Sequence, residues 1–161
     1  MAVDMFLKID SLEGESRDKG YKNWIDVESY SWGATQSGSQ HTGGGGGTGK
    51  VSIQDLHVVK KMDKCTADIM RKCCDGTHFN KIELVCRKAG GDQPLEYVKW
   101  ELKKAIVSSY QTGSSGGEGA DMEQISFNFA EVKMEYAVQS DTGGIGETPK
   151  FGWNVEQNAP L

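Results

Sequence analysis

Hydrophobic and polar residues alternate along most of the chain, with the period of two that is typical of half-buried β-strands. The clearest stretch is Met122–Val138, where Ile125, Phe127 and Phe129 alternate with small or polar residues. Beyond these residues the apolar positions move to the other parity. The change predicts a bulge or bend near Ala130–Glu131, and therefore a strand that turns a corner as in small barrels and sandwiches.

The same alternation predicts most of the remaining elements. The further strands are Val3–Ile9, Trp24–Trp32, Val51–Met62, His78–Lys88, Leu95–Gln111 and a short terminal strand at F-G-W-N. Within Leu95–Gln111, the pattern places Val98, Trp100, Leu102, Ile106 and Tyr110 on one face. The one predicted helix is Asp63–Cys74, with Asp63 as its cap and Gly76 at its end. Because no second apolar helix is available to cover a parallel sheet, we expect a mainly β fold over residues 1–161. It is an antiparallel β-barrel or two-sheet sandwich with one flanking α-helix, in a single domain.

Glycine is abundant and clustered, with 21 Gly against 3 Pro. The segment Gly33–Gly49 contains S-G-S-Q-H-T-G-G-G-G-G-T-G, and no apolar residue anchors it from Gln36 to Gly49. A loop of this length in a compact domain is either disordered or functional. Composition alone leaves both interpretations open for the extended loop 38–49.

Composition and charge exclude several classes of protein. The 161 residues carry a net charge of −5 with no basic stripe, which argues against nucleic acid as a main ligand. No apolar run is long enough to span a membrane, and the start M-A-V-D-M-F-L-K lacks the features of a cleavable signal peptide. The four cysteines, Cys65, Cys73, Cys74 and Cys86, indicate reduced thiols in a cytoplasmic protein.

Two glycine motifs resemble catalytic or nucleotide-binding signatures. Gly44–Lys50 matches G-x-x-x-x-G-K, but Val51 stands where a phosphate-binding loop needs Ser or Thr, and a strand is predicted where it needs a helix. Gly113–Gly117 matches G-x-S-x-G around Ser115. All three histidines precede it, and the segment is predicted to link two strands. Flexible loops are the favoured interpretation of both motifs.

A metal site is also disfavoured. Cys73 and Cys74 are adjacent on the predicted helix and point about 100° apart, so they and His78 make a poor ligand set. The chain contains no H-E-x-x-H motif and no paired-carboxylate arrangement. We therefore expect no enzymatic activity and no cofactor. The Gly-rich arm, the apolar groups on both faces of Trp24–Trp32 and the open strand edges favour a protein that assembles with others.

Several linked blocks of sequence closely resemble the Hcp family, the haemolysin-coregulated proteins of the bacterial type VI secretion system. The blocks are M-A-V-D-M-F-L-K-I, S-Y-S-W-G, G-G-G-G-G-T-G-K-V-S-I-Q-D-L, R-K-A-G-G, S-F-N-F-A-E-V and the closing F-G-W-N with Asn158. They run in order from Met1 to Leu161. The resemblance implies a small antiparallel barrel with one helix, similar to phage tail-tube proteins.

The resemblance also implies a function and partners. Six subunits close a ring, and rings stack into a tube inside a contractile sheath tipped by a spike protein. The tube leaves the cell without a cleaved signal peptide, and its lumen carries and protects effector proteins. Neither nucleic acid binding nor membrane insertion is implied.

Candidate site residues follow from this resemblance. Those for the subunit or ring interface are Gly38, Gly43, Gly44, Gly45, Gly46, Gly47, Gly49, Gly90, Gly91 and Asn158. The loops Asp10–Asn23, Gly90–Gln93 and Asn154–Leu161 are expected to contact the next ring. Ser29 and Ser31, opposite in parity to the neighbouring aromatic residues, are candidates for the wall of the lumen.

Two alternatives from other classes remain open at this point. A monomeric barrel that binds a small ligand would keep a roomy apolar interior. A serine hydrolase would need a reactive Ser115.

Overall fold

The computed structural model describes residues 3–38, 48–88, 94–117, 119 and 121–161, and the described part of the chain forms eleven strands and one helix. The elements are β1 (Val3–Ile9), β2 (Ile25–Val27), β3 (Ser29–Ser31), β4 (Ala34–Gly38), β5 (Thr48–Ile53), β6 (Leu56–Lys61), α1 (Thr66–Asp75), β7 (Phe79–Lys88), β8 (Leu95–Gly113), β9 (Met122–Tyr136), β10 (Lys150–Asn154) and β11 (Ala159–Pro160).

The strands form an antiparallel, sandwich-like structure, which confirms the expected fold class. The hydrogen-bonded order is β2–β1–β7–β8–β9–β10–β11. One edge of β9 is shared between two neighbours: Met122–Phe127 pair with β6, and Glu131–Glu135 pair with β10. Since β6 also pairs with β3, the sheet divides along β9 into two layers that face each other across the core.

The division occurs where the sequence predicts a change of face in β9. Phe129 and Ala130 are consecutive and both buried, so the inward side changes parity between them. In the neighbouring strand β8, Lys104 has a positive φ of 51° and lies in the same region of the sheet. The bend near Ala130 is therefore confirmed.

The bend in β8 makes one part of the sequence-based prediction wrong. Ala105 and Val107 are buried, whereas Ile106, which was expected on the inward face, is half-buried on the other side. The left-handed backbone at Lys104 shifts the parity of the strand by one residue, which the pattern of apolar residues did not reveal.

Two predicted strands are each divided in the structure. Trp24–Trp32 is interrupted at Glu28, because β2 pairs with β1 while β3 pairs with β6 in the other layer. Val51–Met62 is interrupted at Gln54 and Asp55, which separate β5 from β6.

The helix begins at Thr66, three residues later than expected, and its N-cap is Cys65 rather than the predicted Asp63. The carboxylate of Asp63 accepts the amide N–H of Cys65 at 3.0 Å in the turn before the helix. Gly76 ends the helix as predicted, with a φ of 69° and its N–H donated to the carbonyl of Lys72. In the described part of the chain, no helix is long and apolar enough to cross a membrane.

The space between the layers is filled by apolar side chains. Fully buried members of this core are Leu7, Ile9, Ile25, Leu56, Val58, Ile69, Ile82, Leu84, Leu102, Ile125, Phe127 and Val132. Such a core supplies most of the free energy of folding through burial of apolar surface.

One buried ion pair interrupts this apolar core beneath the first turn of α1. The ammonium of Lys60 and the carboxylate of Glu123 are both fully buried and bonded to each other. Glu123 also accepts the hydroxyls of Thr66 and Tyr110, and Lys60 donates to Asp63 at 3.0 Å. Burial acts to lower the pKa of Lys60, but Glu123 and the other groups around it leave that pKa above its ordinary value.

This network predicts an asymmetric response to mutation. Lys60→Met leaves the carboxylate of Glu123 buried without its cation, and should lower the free energy of unfolding by about 3–5 kcal/mol. The double variant Lys60→Met/Glu123→Leu removes both charges and should recover a large part of that loss. Urea unfolding of the single and double variants measures both effects.

The matched control is Lys61→Met, since Lys61 is the next residue and its pairing with Glu28 at 3.7 Å is exposed. It should change the free energy of unfolding by less than about 1 kcal/mol. A Lys60→Met variant as stable as this control would contradict the role assigned to the ion pair.

Candidate assembly surface

A two-stranded ribbon, formed by β4 and β5, projects from the sandwich. The two strands pair with each other and, in the described part of the chain, with no strand of the larger sheet. Every residue of β4 is exposed. An isolated two-stranded hairpin is marginally stable in water, and its outer edges offer unpaired N–H and C=O groups. The ribbon is therefore suited to docking against another chain.

A close approach within the ribbon explains one of its glycines. The register between β4 and β5 shifts between Gln36 and Gly38, because Ser37 stands opposite two residues of β5, Gly49 and Lys50, which form a bulge. A Cβ atom added to Gly49 would lie 2.6 Å from the carbonyl oxygen of Ser37. Gly49 is thus required by the ribbon's own packing, and the candidate interface residue Gly38 is the last residue of β4.

The base of the ribbon is held on both sides. On the β4 side, the ring of Trp32 packs against Trp100 and Phe151, with centroids 5.4 and 6.0 Å away. On the β5 side, the carboxylate of Asp55 accepts the hydroxyl of Ser108 at 2.6 Å and the side-chain amide of Asn128 at 2.9 Å. The ribbon consequently leaves the body in a defined direction.

The middle of the outward face of the layer next to the ribbon carries mostly uncharged side chains, between the Lys61–Glu28 ion pair at one end and Asp55 at the other. Cross-strand pairing aligns Ser31, His57, Ser126 and Ser109 in one row. The adjacent row is Ser29, Val59, Gln124 and Gln111. We call these eight residues the neutral face, which contains the candidate lumen residues Ser29 and Ser31, both exposed.

The outward face of the other layer is, in contrast, rich in charge. One row of paired residues is Lys8, Glu83, Glu101 and Lys133, and the next is Phe6, Val85, Lys99, Glu135 and Lys150. Ion pairs join neighbours on this face, such as Lys81 to Glu83 at 2.5 Å. The two outward surfaces of the subunit therefore differ sharply in chemistry.

The loop between β1 and β2 packs onto this charged layer. Tyr21 stacks on Phe6 with centroids 4.3 Å apart, and Trp24 meets Tyr21 edge-on. The guanidinium of Arg87 lies over Phe6 and Tyr21 and donates to the carboxylate of Asp18 at 2.6 and 2.9 Å. Part of the loop Asp10–Asn23 is thus fixed to its own sheet and covers Trp24, whereas Tyr30 and Trp32 of the second predicted strand pack against the main core.

The remaining candidate residues lie in two places. Asn158 is exposed in the turn between β10 and β11, where its φ of 51° suits asparagine. The others, Gly43, Gly44, Gly45, Gly46, Gly47, Gly90 and Gly91, lie outside the described residues. Of the loop Asn154–Leu161, the last residue, Leu161, is half-exposed and contacts the backbone of Gly152.

The motifs that resembled enzyme signatures have ordinary structural settings. Gly49 and Lys50 lie within β5, and the next element is another strand. Ser115 is exposed in the connection between β8 and β9, as expected for a loop between two strands. Within the described residues, no group of three or more His, Cys, Asp and Glu side chains is placed to hold a metal ion.

Comparison with known proteins decides the family. Residues 6–136 match the family model described as "Type VI secretion system effector, Hcp". The chain belongs to the Hcp family. It is 48% identical over 159 residues to Protein hcp1 of Pseudomonas aeruginosa, a match that covers 98% of each chain.

Solved structures agree with this assignment. A type six secretion system protein superposes on this Hcp chain with a TM-score of 0.92 and 32% identity, covering 99% of this chain and all of the other. Hcp1 from Salmonella typhimurium gives a TM-score of 0.80 and 34% identity over the full length of both chains. The chain is thus a member of the type VI tube and effector protein family, and the recognition made from the sequence blocks is confirmed.

Sequence reasoning missed several residues of this Hcp surface. Asp55, Ser108 and Asn128 meet at the base of the ribbon although they are far apart in the chain. His57, Gln124 and Ser126 extend the surface that holds Ser29 and Ser31. The alternation of small polar with apolar residues marks these positions as outward-facing, but only the register shows that they share one surface.

The contact between Arg87 and Asp18 predicts a contribution to the stability of the folded state that depends on pH. The hydrogen bond from Arg87 and the amide of Gly20 lower the pKa of Asp18 below its ordinary value of 3.8. A lowered pKa stabilises the folded state above that ordinary value, and the stabilisation disappears as the pH falls through the folded-state pKa. Asp18→Asn should therefore cost about 1 kcal/mol at pH 7 and progressively less below pH 4.

Thermal unfolding of the wild type and Asp18→Asn between pH 7 and pH 2 measures this dependence. Asp10→Asn is the control, because the Asp10 side chain forms no hydrogen bond within the described residues. A cost for Asp18→Asn that stays constant with pH would contradict the charge-based explanation.

Proposed function

We propose that this Hcp protein is the tube subunit of a type VI secretion system. Six copies close a ring, and rings stack into a tube that associates with the sheath and spike proteins. The tube assembles in the cytoplasm and is exported, and its lumen carries effector proteins. The β4–β5 ribbon is the observation that carries this proposal.

The ribbon supports a ring because the ribbon of one subunit would dock on a different surface of the neighbouring subunit. Such a head-to-tail contact closes into a ring only when the rotation per subunit divides the circle. A ribbon with free edges can add to a neighbouring sheet or lie along it, and docking offsets the marginal stability of an isolated hairpin. The number six comes from family membership.

The neutral face supports the lumen assignment. A channel that carries different proteins must hold them without fixed ion pairs, since a desolvated charge pair demands one specific partner. Apart from the imidazole of His57, the eight residues of the neutral face bear no ionisable group. We place this face, including Ser29 and Ser31, on the lumen side, and the charged layer away from it.

A monomeric ligand-binding barrel is less well supported. The interior between the layers is filled by apolar side chains that include Phe127 and Leu102. A surface hollow of about 460 Å³ lies on the charged layer, lined by residues such as Glu83, Glu101 and Lys133. A barrel that binds a small ligand would instead keep its apolar space inside.

The ring is tested by native mass spectrometry of the wild type and Gly49→Val. The 17.6 kDa chain should give rings of about 106 kDa. A side chain at Gly49 would clash with Ser37 in the ribbon, so Gly49→Val should yield mainly monomer while its circular dichroism remains that of a folded β protein.

Gly116→Val is the matched control, since an added Cβ atom at Gly116 meets nothing within 4 Å. It should form rings as the wild type does. A wild type that remains monomeric at micromolar concentration, or Gly49→Val rings of normal yield, would argue against ribbon-mediated assembly.

The lumen assignment is tested with the double variant Ser29→Trp/Ser31→Trp. Bulky rings on the proposed channel wall should leave the ring mass unchanged but reduce the amount of effector protein that co-purifies, by about tenfold or more. Lys133→Trp, on the charged layer, is the control and should retain effectors. Equal retention by both variants would refute the placement of the neutral face.

A further inference from the structure

We infer that Asp55 is a positioning residue for ring assembly: it fixes the direction in which the ribbon leaves the subunit. This inference rests on the proposed function, because it assigns a role within the same ribbon-mediated contact. The residues involved are Asp55, Ser108 and Asn128, which we call the root cluster.

The root cluster lies where the ribbon joins the body. Only Gln54 and Asp55 separate Ile53, the last residue of β5, from Leu56, the first residue of β6. Leu56 is fully buried and paired with Phe127 of β9, so the body side of this junction is immobilised by packing. On the β5 side, the direction of the ribbon therefore depends on the conformation of these two residues, as it depends on Trp32 and Gly33 on the β4 side.

Asp55 fixes that conformation through both of its carboxylate oxygens. Oδ2 accepts the hydroxyl of Ser108 at 2.6 Å, and Oδ1 accepts the amide of Asn128 at 2.9 Å. Because hydrogen bonds to a charged acceptor are stronger than neutral ones, the two contacts hold the carboxylate at a defined place between β8 and β9. On the other side of the ribbon base, Gln54 donates its N–H to the carbonyl of Gly33 at 2.9 Å.

A β-bulge aims one of the two donors at Asp55. The register of β8 against β9 shifts between Val107 and Ser109, which leaves Ser108 as the extra residue. Bulges commonly redirect a side chain in this way. The bulge thus places the Ser108 hydroxyl where the Asp55 carboxylate accepts it at the base of the ribbon.

The root cluster is important for assembly because a small rotation at the base of the ribbon causes a large displacement at its far end. The six residues of β5 extend about 20 Å from the base. A rotation of about 10° at the root would move the far end of the strand by about 3 Å, which exceeds the tolerance of a hydrogen bond. A ring has the same contact at every interface, so an error in ribbon direction recurs around the whole circle.

The root cluster contributes little to the stability of the subunit itself. Ser108 and Asn128 are exposed, and Asp55 is half-buried, so water can replace their hydrogen bonds when they are lost. Asp55→Ala should accordingly change ring formation much more than it changes the unfolding temperature. That separation distinguishes a positioning role from a merely structural one.

The experiment compares the wild type with Asp55→Ala, Asp55→Asn and the double variant Ser108→Ala/Asn128→Ala, which removes both donors and keeps the carboxylate. Native mass spectrometry over a range of protomer concentrations measures the ring-to-monomer ratio, and thermal unfolding measures the fold. Asp55→Ala and the double variant should raise the concentration at half assembly by about tenfold or more. Asp55→Asn, which keeps an acceptor oxygen, should lie between them and the wild type.

Asp75→Ala is the matched control. Asp75 is an exposed aspartate that accepts the backbone N–H and the hydroxyl of Thr77, but it lies at the end of α1. It should assemble as the wild type does. Unfolding temperatures of the Asp55 variants should stay within about 4 °C of the wild type.

The outcomes separate this inference from the proposed function. Rings of normal yield from Asp55→Ala, when Gly49→Val abolishes them, would overturn the inference and leave the proposed function standing. If Asp55→Ala fails to fold, the Ser108→Ala/Asn128→Ala variant decides. Normal rings from this double variant would overturn the inference. Loss of its rings without a fall in its unfolding temperature would support the inference. A wild type without rings would overturn both.

Discussion

The constraint on which the subunit depends is that β9, together with its neighbour β8, belongs to both layers. Its first half pairs with β6 and its second half with β10, while β8 accompanies it along its whole length. Such a strand must present opposite faces to the core in its two halves, and the change at Phe129 and Ala130 accomplishes this. The positive φ of Lys104 allows β8 to change face with it. Each half of β9 turns a different set of side chains outward, so the neutral face lies on one layer and the charged residues lie on the other.

We interpret the buried ion pair as an interaction that fixes the register of this strand. Lys60 and Glu123 are direct cross-strand partners between β6 and β9, on the inward side. A slip of one residue would exchange the inward and outward sides of β6 and bring Lys61 into the core. An apolar pair at these positions would tolerate such a slip better than a charge that needs a specific partner. The ion pair thus adds specificity where its net contribution to stability is modest.

The sequence predicts what depends on local pattern and fails where distant residues meet. Alternation locates β1, β7, β8 and β9 well, and it finds the bend in β9 because both parities carry apolar residues there. It misplaces Ile106, since a single left-handed residue at Lys104 leaves no trace in hydrophobicity. The alternation pattern cannot predict the root cluster, because Asp55 lies 53 residues from Ser108 and 73 from Asn128. The ribbon itself is only partly predictable: composition marks an unusual segment, but its ends are strands that pair with each other.

Assembly places opposite demands on the two parts of this subunit. The sandwich must be stable alone, and its filled core provides that. The ribbon must be incomplete alone, because exposed strands with free edges gain stability only when another surface covers them. An incomplete element can still direct assembly if its base is rigid, since a fixed direction lowers the entropy that docking must overcome. The packing of Trp32 on one side and the carboxylate of Asp55 on the other supply that rigidity without burying the ribbon in its own subunit.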